Sequence, residues 1–180
     1  MIKKVFLNYL HVALLKESPE NTFYSPFLMI LSFCWFTIIM VIQWSFNEDT
    51  FTSDMLVKIV MAGSLASSFL IYSLIILLLR GLESRLVQTV SCLLFSQVII
   101  HFLALPLIIA DPFLVQVNLK NPIFLFLGVV YLFLSLGLSV WQFVISAHIY
   151  KYALNITPIQ SVLAAFGLVA VNILTLSFWR

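Results

Sequence analysis

Apolar residues along this chain form long unbroken runs instead of alternating with polar ones. A helix crossing a hydrocarbon core of about 30 Å needs roughly 20 mainly apolar residues. Five stretches meet that length: 26–44, 55–79, 86–110, 122–150 and 158–179. The first holds no charge; the second stops at Arg80, the third at Asp111-Pro112 and the fifth at Arg180. Proline opens the first, fourth and fifth, where its missing N–H is not needed. Barrel strands would alternate apolar and polar residues over about 10 positions. Segments such as LIYSLIILLL and IFLFLGVVYLFL are apolar all round, which predicts helices. In lipid, a helix satisfies each backbone N–H and C=O within its own segment.

Ahead of these lies a separate unit, 1–25. Its start, MIKKVFLNYLHVALLK, places Lys3, Lys4, Asn8 and His11 opposite Ile2, Phe6, Tyr9, Val12 and Ala13 on a helical wheel. That pattern predicts a short amphipathic helix on the membrane surface, lysines toward anionic headgroups. The run ends in LLKESPE without a small-residue cleavage site, so it reads as retained. The expected fold class is therefore all-α, a polytopic bundle of five transmembrane helices with one N-terminal surface helix.

Composition points the same way. Of 180 residues, 63% are hydrophobic and 9% charged, against roughly 25% charged in an average soluble domain. This excludes a soluble enzyme, a nucleic-acid-binding domain and a disordered tail. The net charge of +2 argues for no acidic partner, but the placement of Lys and Arg carries topology. An N-inside arrangement puts Lys3, Lys4, Lys16, Arg80, Arg85 and Lys151 in the cytoplasm and only Lys58, Lys120 and Arg180 outside. Glu48, Asp49, Asp54 and Asp111 then also lie outside. Trp44 and Trp179 would mark the outer interface, and Tyr150 and Tyr152 the inner one.

Candidate chemistry is sparse. No phosphate loop, nucleophile elbow or zinc motif occurs, and His11, His101 and His148 fall in different segments, so neither a catalytic set nor a metal site nor a cofactor is expected. Cys34 and Cys92 read as small membrane-embedded hydrophobes. On the third span, Gln97, His101 and Asp111 share one face, with Thr89 at its edge. His101 stands about 22 Å from the inner end by helical rise, a depth at which an ionisable side chain is a candidate functional site. Asn172 lies level with it on the fifth span, on a face shared with Ser161, Ala165 and Thr175. A His101–Asn172 hydrogen bond is geometrically allowed; it would serve as bundle glue or, with Gln97, as part of a proton or solute relay. Pro106 frees a carbonyl just beyond.

Lys58, four residues after Asp54, is expected to snorkel or to pair with that carboxylate. Small residues at helical spacing, Ala62, Gly63, Ser64, Ala66, Ser67 and Ser68 on the second span and Ser135 with Ser139 on the fourth, would let helices approach closely. Asn155-Ile156-Thr157 matches a glycosylation sequon in a loop assigned to the cytoplasm, where it would not be used.

The stretch VWQFVISAHIYKYALNITPIQSVLAAF resembles the last two helices of bacterial members of the Yip (Ypt/Rab-interacting protein) superfamily. Trp141, the loop 151–157 and Ala164-Ala165 stand in the matching places. The segment LLKESPENTFYSPFLMIL is similar to the entry into the first span of small gammaproteobacterial inner-membrane proteins. The resemblance implies five spans and a bacterial inner-membrane location. Eukaryotic members act with small GTPases through a longer cytosolic region, whereas the counterpart here is 25 residues, so a GTPase role is not implied.

Two functions follow as expectations. The first is a non-enzymatic integral membrane protein, an accessory or assembly factor with a membrane-protein partner or a second copy of itself. The alternative is a small oligomeric transporter or channel subunit built on the Gln97–His101 face. Both work in the lipid bilayer, and neither involves nucleic acid.

Overall fold

The computed structural model describes residues 2–46, 54–115 and 122–179, with side chains omitted at 2–4, 112–115 and 122. Lys3, Lys4, Glu48, Asp49, Lys120 and Arg180 of the charge pattern lie outside the described side chains. The described residues form helices and turns: α1 (Ile2–Ala13), α2 (Pro26–Phe46), α3 (Met55–Leu79), α4 (Leu86–Val115), α5 (Pro122–Ala153) and α6 (Pro158–Ser177). Five of these, α2 to α6, are long and apolar enough to cross a membrane, which makes this a multi-pass membrane protein.

α4 is the centre of the bundle, packing against α2, α3 and α5, while α6 closes the other side against α3 and α5. Phe36, Met61, Phe69, Leu93, Leu94 and Ile149 fill the space between them. Outward positions are equally apolar, including Phe27, Trp35, Phe102, Phe133 and Phe166. Apolar residues cover both the inside and the outside, as lipid solvation requires.

Three chain reversals share one design. Gly81, Leu15 and Asn155 adopt positive φ of 66°, 61° and 51° just beyond α3, α1 and α5. In each, the next residue's N–H returns to a carbonyl five residues back: Leu82 to Leu77 (2.9 Å), Lys16 to His11 (2.9 Å) and Ile156 to Lys151 (3.1 Å). These are Schellman ends, which satisfy carbonyls the helix leaves open. Thr157 then caps α6, exchanging hydrogen bonds with Gln160 in a capping box. Both polar residues of the sequon Asn155-Ile156-Thr157 are thus explained by chain reversal.

Several expectations need correction. Asp111-Pro112 does not end its helix, because α4 runs on to Val115. Pro112 removes only one N–H close to the end of the helix. The Asp111 carboxylate is held sideways instead, accepting from Tyr131 of α5 at 3.0 Å. Tyr150 is not an interfacial residue: it is fully buried, its hydroxyl 2.9 Å from Ser73 Oγ. Asp54 does not pair with Lys58; its carboxylate accepts from the N–H of Leu56, capping α3. Lys58 lies against the bundle at 9% exposure.

α1 forms where the sequence places a helix and buries Tyr9, Val12 and Ala13 against the bundle. The whole N-terminal unit is tied down by hydrogen bonds. Trp141 Nε1 donates to the Ala13 carbonyl (3.1 Å), and Gln88 Nε2 donates to that of Thr22 (2.9 Å). The His148 ring lies 3.0 Å from the Glu17 carbonyl. Arg85 pairs with Glu20 and donates to the Tyr152 carbonyl at 3.0 Å, so the N-terminal unit, the α3–α4 turn and the α5–α6 turn meet at one end of the bundle.

Candidate functional site

The polar groups of the spans meet in pairs across helix interfaces. Gln43 of α2 reaches His101 of α4 with both ends of its amide. Its Nε2 donates to the His101 carbonyl at 2.7 Å, and its Oε1 lies 2.9 Å from Nδ1 of the ring. An amide oxygen can only accept, so Nδ1 carries a proton and Nε2 is the free lone pair of the neutral ring. Phe36 meets the ring edge-on at 5.9 Å between centroids. The next carbonyl, that of Phe102, is the one Pro106 deprives of its usual donor. Gln43 therefore braces the backbone where proline weakens it.

One turn away, Gln97 faces the opposite neighbour. It is 2% exposed, and its Oε1 accepts from Gln142 Nε2 of α5 at 2.5 Å. Beside it, Ser96 Oγ is buried and has no hydrogen-bond partner among the described residues.

Asn172 does not meet His101. Its Oδ1 lies 2.8 Å from Ser68 Oγ of α3, whose single proton is shared with the Leu65 carbonyl at 2.6 Å. Depth along the helices is equal for His101 and Asn172, but α6 packs on α3 and α5, which leaves Asn172 facing α3. Of the two predicted faces, Thr89, Gln97, Ser161 and Ala165 are buried, whereas His101, Asp111, Asn172 and Thr175 are half-buried.

The α3–α6 interface extends this pairing into a row. Ser64, Ser68 and Tyr72 stand at successive turns of α3. Trp179 Nε1 donates to Ser64 Oγ (3.1 Å), Asn172 meets Ser68, and Tyr72 donates to the Ala164 carbonyl (2.7 Å). Gly167 makes room for that tyrosine, since a Cβ there would stand 2.0 Å from its hydroxyl oxygen.

The small residues picked out from sequence behave differently. Ala62 and Ala66 are buried and Ser64 and Ser68 serve α6, but Gly63 and Ser67 are only half-buried. A Cβ on Gly63 would meet nothing within 4 Å, and Ser67 Oγ bonds back to the Gly63 carbonyl at 2.8 Å. On α5, Ser135 and Ser139 likewise bond to their own helix, at 3.0 and 2.9 Å. Gly128 and Gly137 also face open space. From Ile123 to Val140 no residue of α5 is buried.

Sequence reasoning does not single out Gln43 or Gln142, and it marks Ser68 only as a small residue, not as a polar partner. Their available signal is a side-chain amide or hydroxyl inside an apolar span, at the depth of another polar residue. Among the described residues, no group of three His, Cys, Asp or Glu side chains is placed to hold a metal ion. No protein-family model, curated protein or solved structure matches this chain.

Proposed function

We propose that this is a non-enzymatic accessory or assembly protein of the membrane, acting through helix contacts in the plane of the bilayer. The observation that carries the reading is the sorting of its small and polar residues. Eight of those facing inward are matched in four pairs, Gln43 with His101, Gln97 with Gln142, Ser68 with Asn172 and Ser73 with Tyr150, while Ser96 Oγ is the buried exception. Small residues elsewhere, Gly63 and Ser67 on α3 and Gly128, Ser135 and Ser139 on α5, are half-buried or exposed, and a Cβ on either glycine would meet nothing within 4 Å. Small residues on a lipid-exposed helix let a second backbone approach, the main source of helix association in membranes. The partner is another membrane protein or a second copy. In this reading the N-terminal unit faces the cytoplasm of a bacterial inner membrane, as the Lys and Arg placement and the Yip-like segments favour.

The test is gentle extraction into nanodiscs, mass determination and identification of copurifying chains. A stoichiometric partner or homo-oligomer, weakened by Gly63→Leu or Ser135→Leu, supports the reading. A monomer indifferent to both substitutions contradicts it.

The transport alternative has one observation in its favour. Nε2 of His101 makes no hydrogen bond among the described residues and sits at mid-membrane depth. A pH-dependent flux in liposomes, abolished by His101→Ala, would select that reading.

A further inference from the structure

The segment 2–22, made of α1, its Schellman end and the short turn Pro19–Asn21, lies across α4 and α5 at the end of the bundle where the two helix turns meet. It holds its own shape. The Lys16 N–H returns to the His11 carbonyl (2.9 Å), and Thr22 Oγ1 donates to the Pro19 carbonyl (2.7 Å). The Tyr9 hydroxyl, 3.5 Å from the Phe23 carbonyl, ties the helix to the far end of the link. Residues 23–25 belong to no helix, and Phe23 and Tyr24 are exposed. The segment can therefore swing as one body from the start of α2.

What fastens it is polar. Lipid tails are as apolar as a leucine side chain, so the contact of Tyr9, Val12 and Ala13 with the bundle is nearly matched by contact with the bilayer. Phe6, Leu7, Leu14 and Leu15 are exposed even in the docked position, and a membrane surface is a second seat for an amphipathic helix. The two seats differ in hydrogen bonds. Trp141 Nε1 donates to the Ala13 carbonyl (3.1 Å), Gln88 Nε2 donates to that of Thr22 (2.9 Å), and His148 Nε2 lies 3.0 Å from that of Glu17. Two contacts join side chains: Glu20 pairs with Arg85, and Thr22 Oγ1 lies 3.5 Å from Cys92 Sγ. Arg85 is also held by the Tyr152 carbonyl at 3.0 Å, which keeps it in place with or without Glu20.

We infer that 2–22 is a releasable strap. Docked, it covers Cys92 and the donors of Gln88, Trp141 and His148; released, it lies in the bilayer surface and uncovers them. The latch is the set of bonds to its main-chain carbonyls together with the Glu20–Arg85 pair. This goes beyond the helix contacts proposed for α3 and α5, which involve other residues.

The experiment puts spin labels on Leu14→Cys and Ile159→Cys, both exposed positions, in the full chain carrying Cys34→Ser and Cys92→Ser. Pulsed electron paramagnetic resonance then reads their separation in phosphatidylcholine nanodiscs. The expected result is two populations, a short docked separation and a longer released one. The released-to-docked ratio should rise about twofold to fivefold in Glu20→Gln, as for a half-exposed ion pair. It should rise at least about fivefold in Trp141→Phe, which leaves the Ala13 carbonyl of the docked strap without its donor. A second label pair on the bundle, at Leu79→Cys and Ile159→Cys, should keep one separation throughout. If Trp141→Phe disturbs that pair, Glu20→Gln, outside the spans, carries the comparison. A single short separation in the wild type and in Glu20→Gln, or a released population that the latch variants leave unchanged, would overturn the inference.

Discussion

Gln43 and His101 hold each other by two contacts across α2 and α4, one to the backbone carbonyl at 2.7 Å and one to the ring at 2.9 Å. The amide cannot be turned around, because its oxygen would then face the carbonyl oxygen. One side chain thus fixes both the position and the tautomer of a histidine deep in the membrane.

Replacing Gln43 with Leu should free that tautomer. Nitrogen-15 NMR of the labelled imidazole should show the proton on Nδ1 in the wild type and a mixture in the variant. A double-mutant cycle with His101→Ala should give a coupling of about 0.6 kcal/mol and no more than about 1.7, the range of hydrogen bonds between membrane helices. Zero coupling would mean that the pair is not formed.

Gly167→Ala should loosen α6 from α3. The added methyl would stand 2.0 Å from the Tyr72 hydroxyl oxygen, so that ring must leave the Ala164 carbonyl. The expected cost is about 1–3 kcal/mol. Tyr72→Leu in the same background should recover part of it, because the clash goes with the ring. Equal stability of Gly167→Ala and wild type would contradict the close approach.

The five spans were legible in the sequence because an apolar run of membrane length has few other solutions in lipid. Inward faces on α4 and α6 were also legible, from the spacing of Gln97, His101 and Asn172. The pairing was not. Rise along a helix gives depth, so His101 and Asn172 could be set level, but neighbours in a bundle depend on packing around it. The partner of His101 is a glutamine in a span that sequence marked only as uncharged. Asp111-Pro112 misled for a related reason: a helix end is a local preference, and α4 continues past it beside α5 with Asp111 held by Tyr131.

The three Schellman ends predict substitutions of opposite sign. Leu15 holds positive φ without being glycine, at 61°, so Leu15→Gly should be neutral or stabilising by about 1 kcal/mol. Gly81, at 66°, should lose about 1–2 kcal/mol on replacement by alanine. Asn155→Gly should change little, since Asn tolerates this region. Thermal unfolding in one detergent would compare all three.

Docking of α1 should weaken in strong alkali. Burial pushes the Tyr9 phenol up to about 12, with Cys92 adding to the shift and the nearby Ser91 hydroxyl partly offsetting it. Below pH 10 the phenol is neutral whether α1 is docked or not, so its contribution is constant. Between about 10 and 12 only the undocked form ionises, and stability falls as pH rises. Protease sensitivity of the 14–25 link should increase over that window, and Tyr9→Phe should remove this component.

The most direct test of the account is photo-crosslinking in the native membrane from a probe at Leu134, on the open N-terminal half of α5. The account predicts a discrete protein adduct, either one partner or a second copy, that disappears when Ser135 or Ser139 is changed to Leu. Adducts to lipid alone, unchanged by those substitutions, would contradict it and leave the small-residue faces without a role.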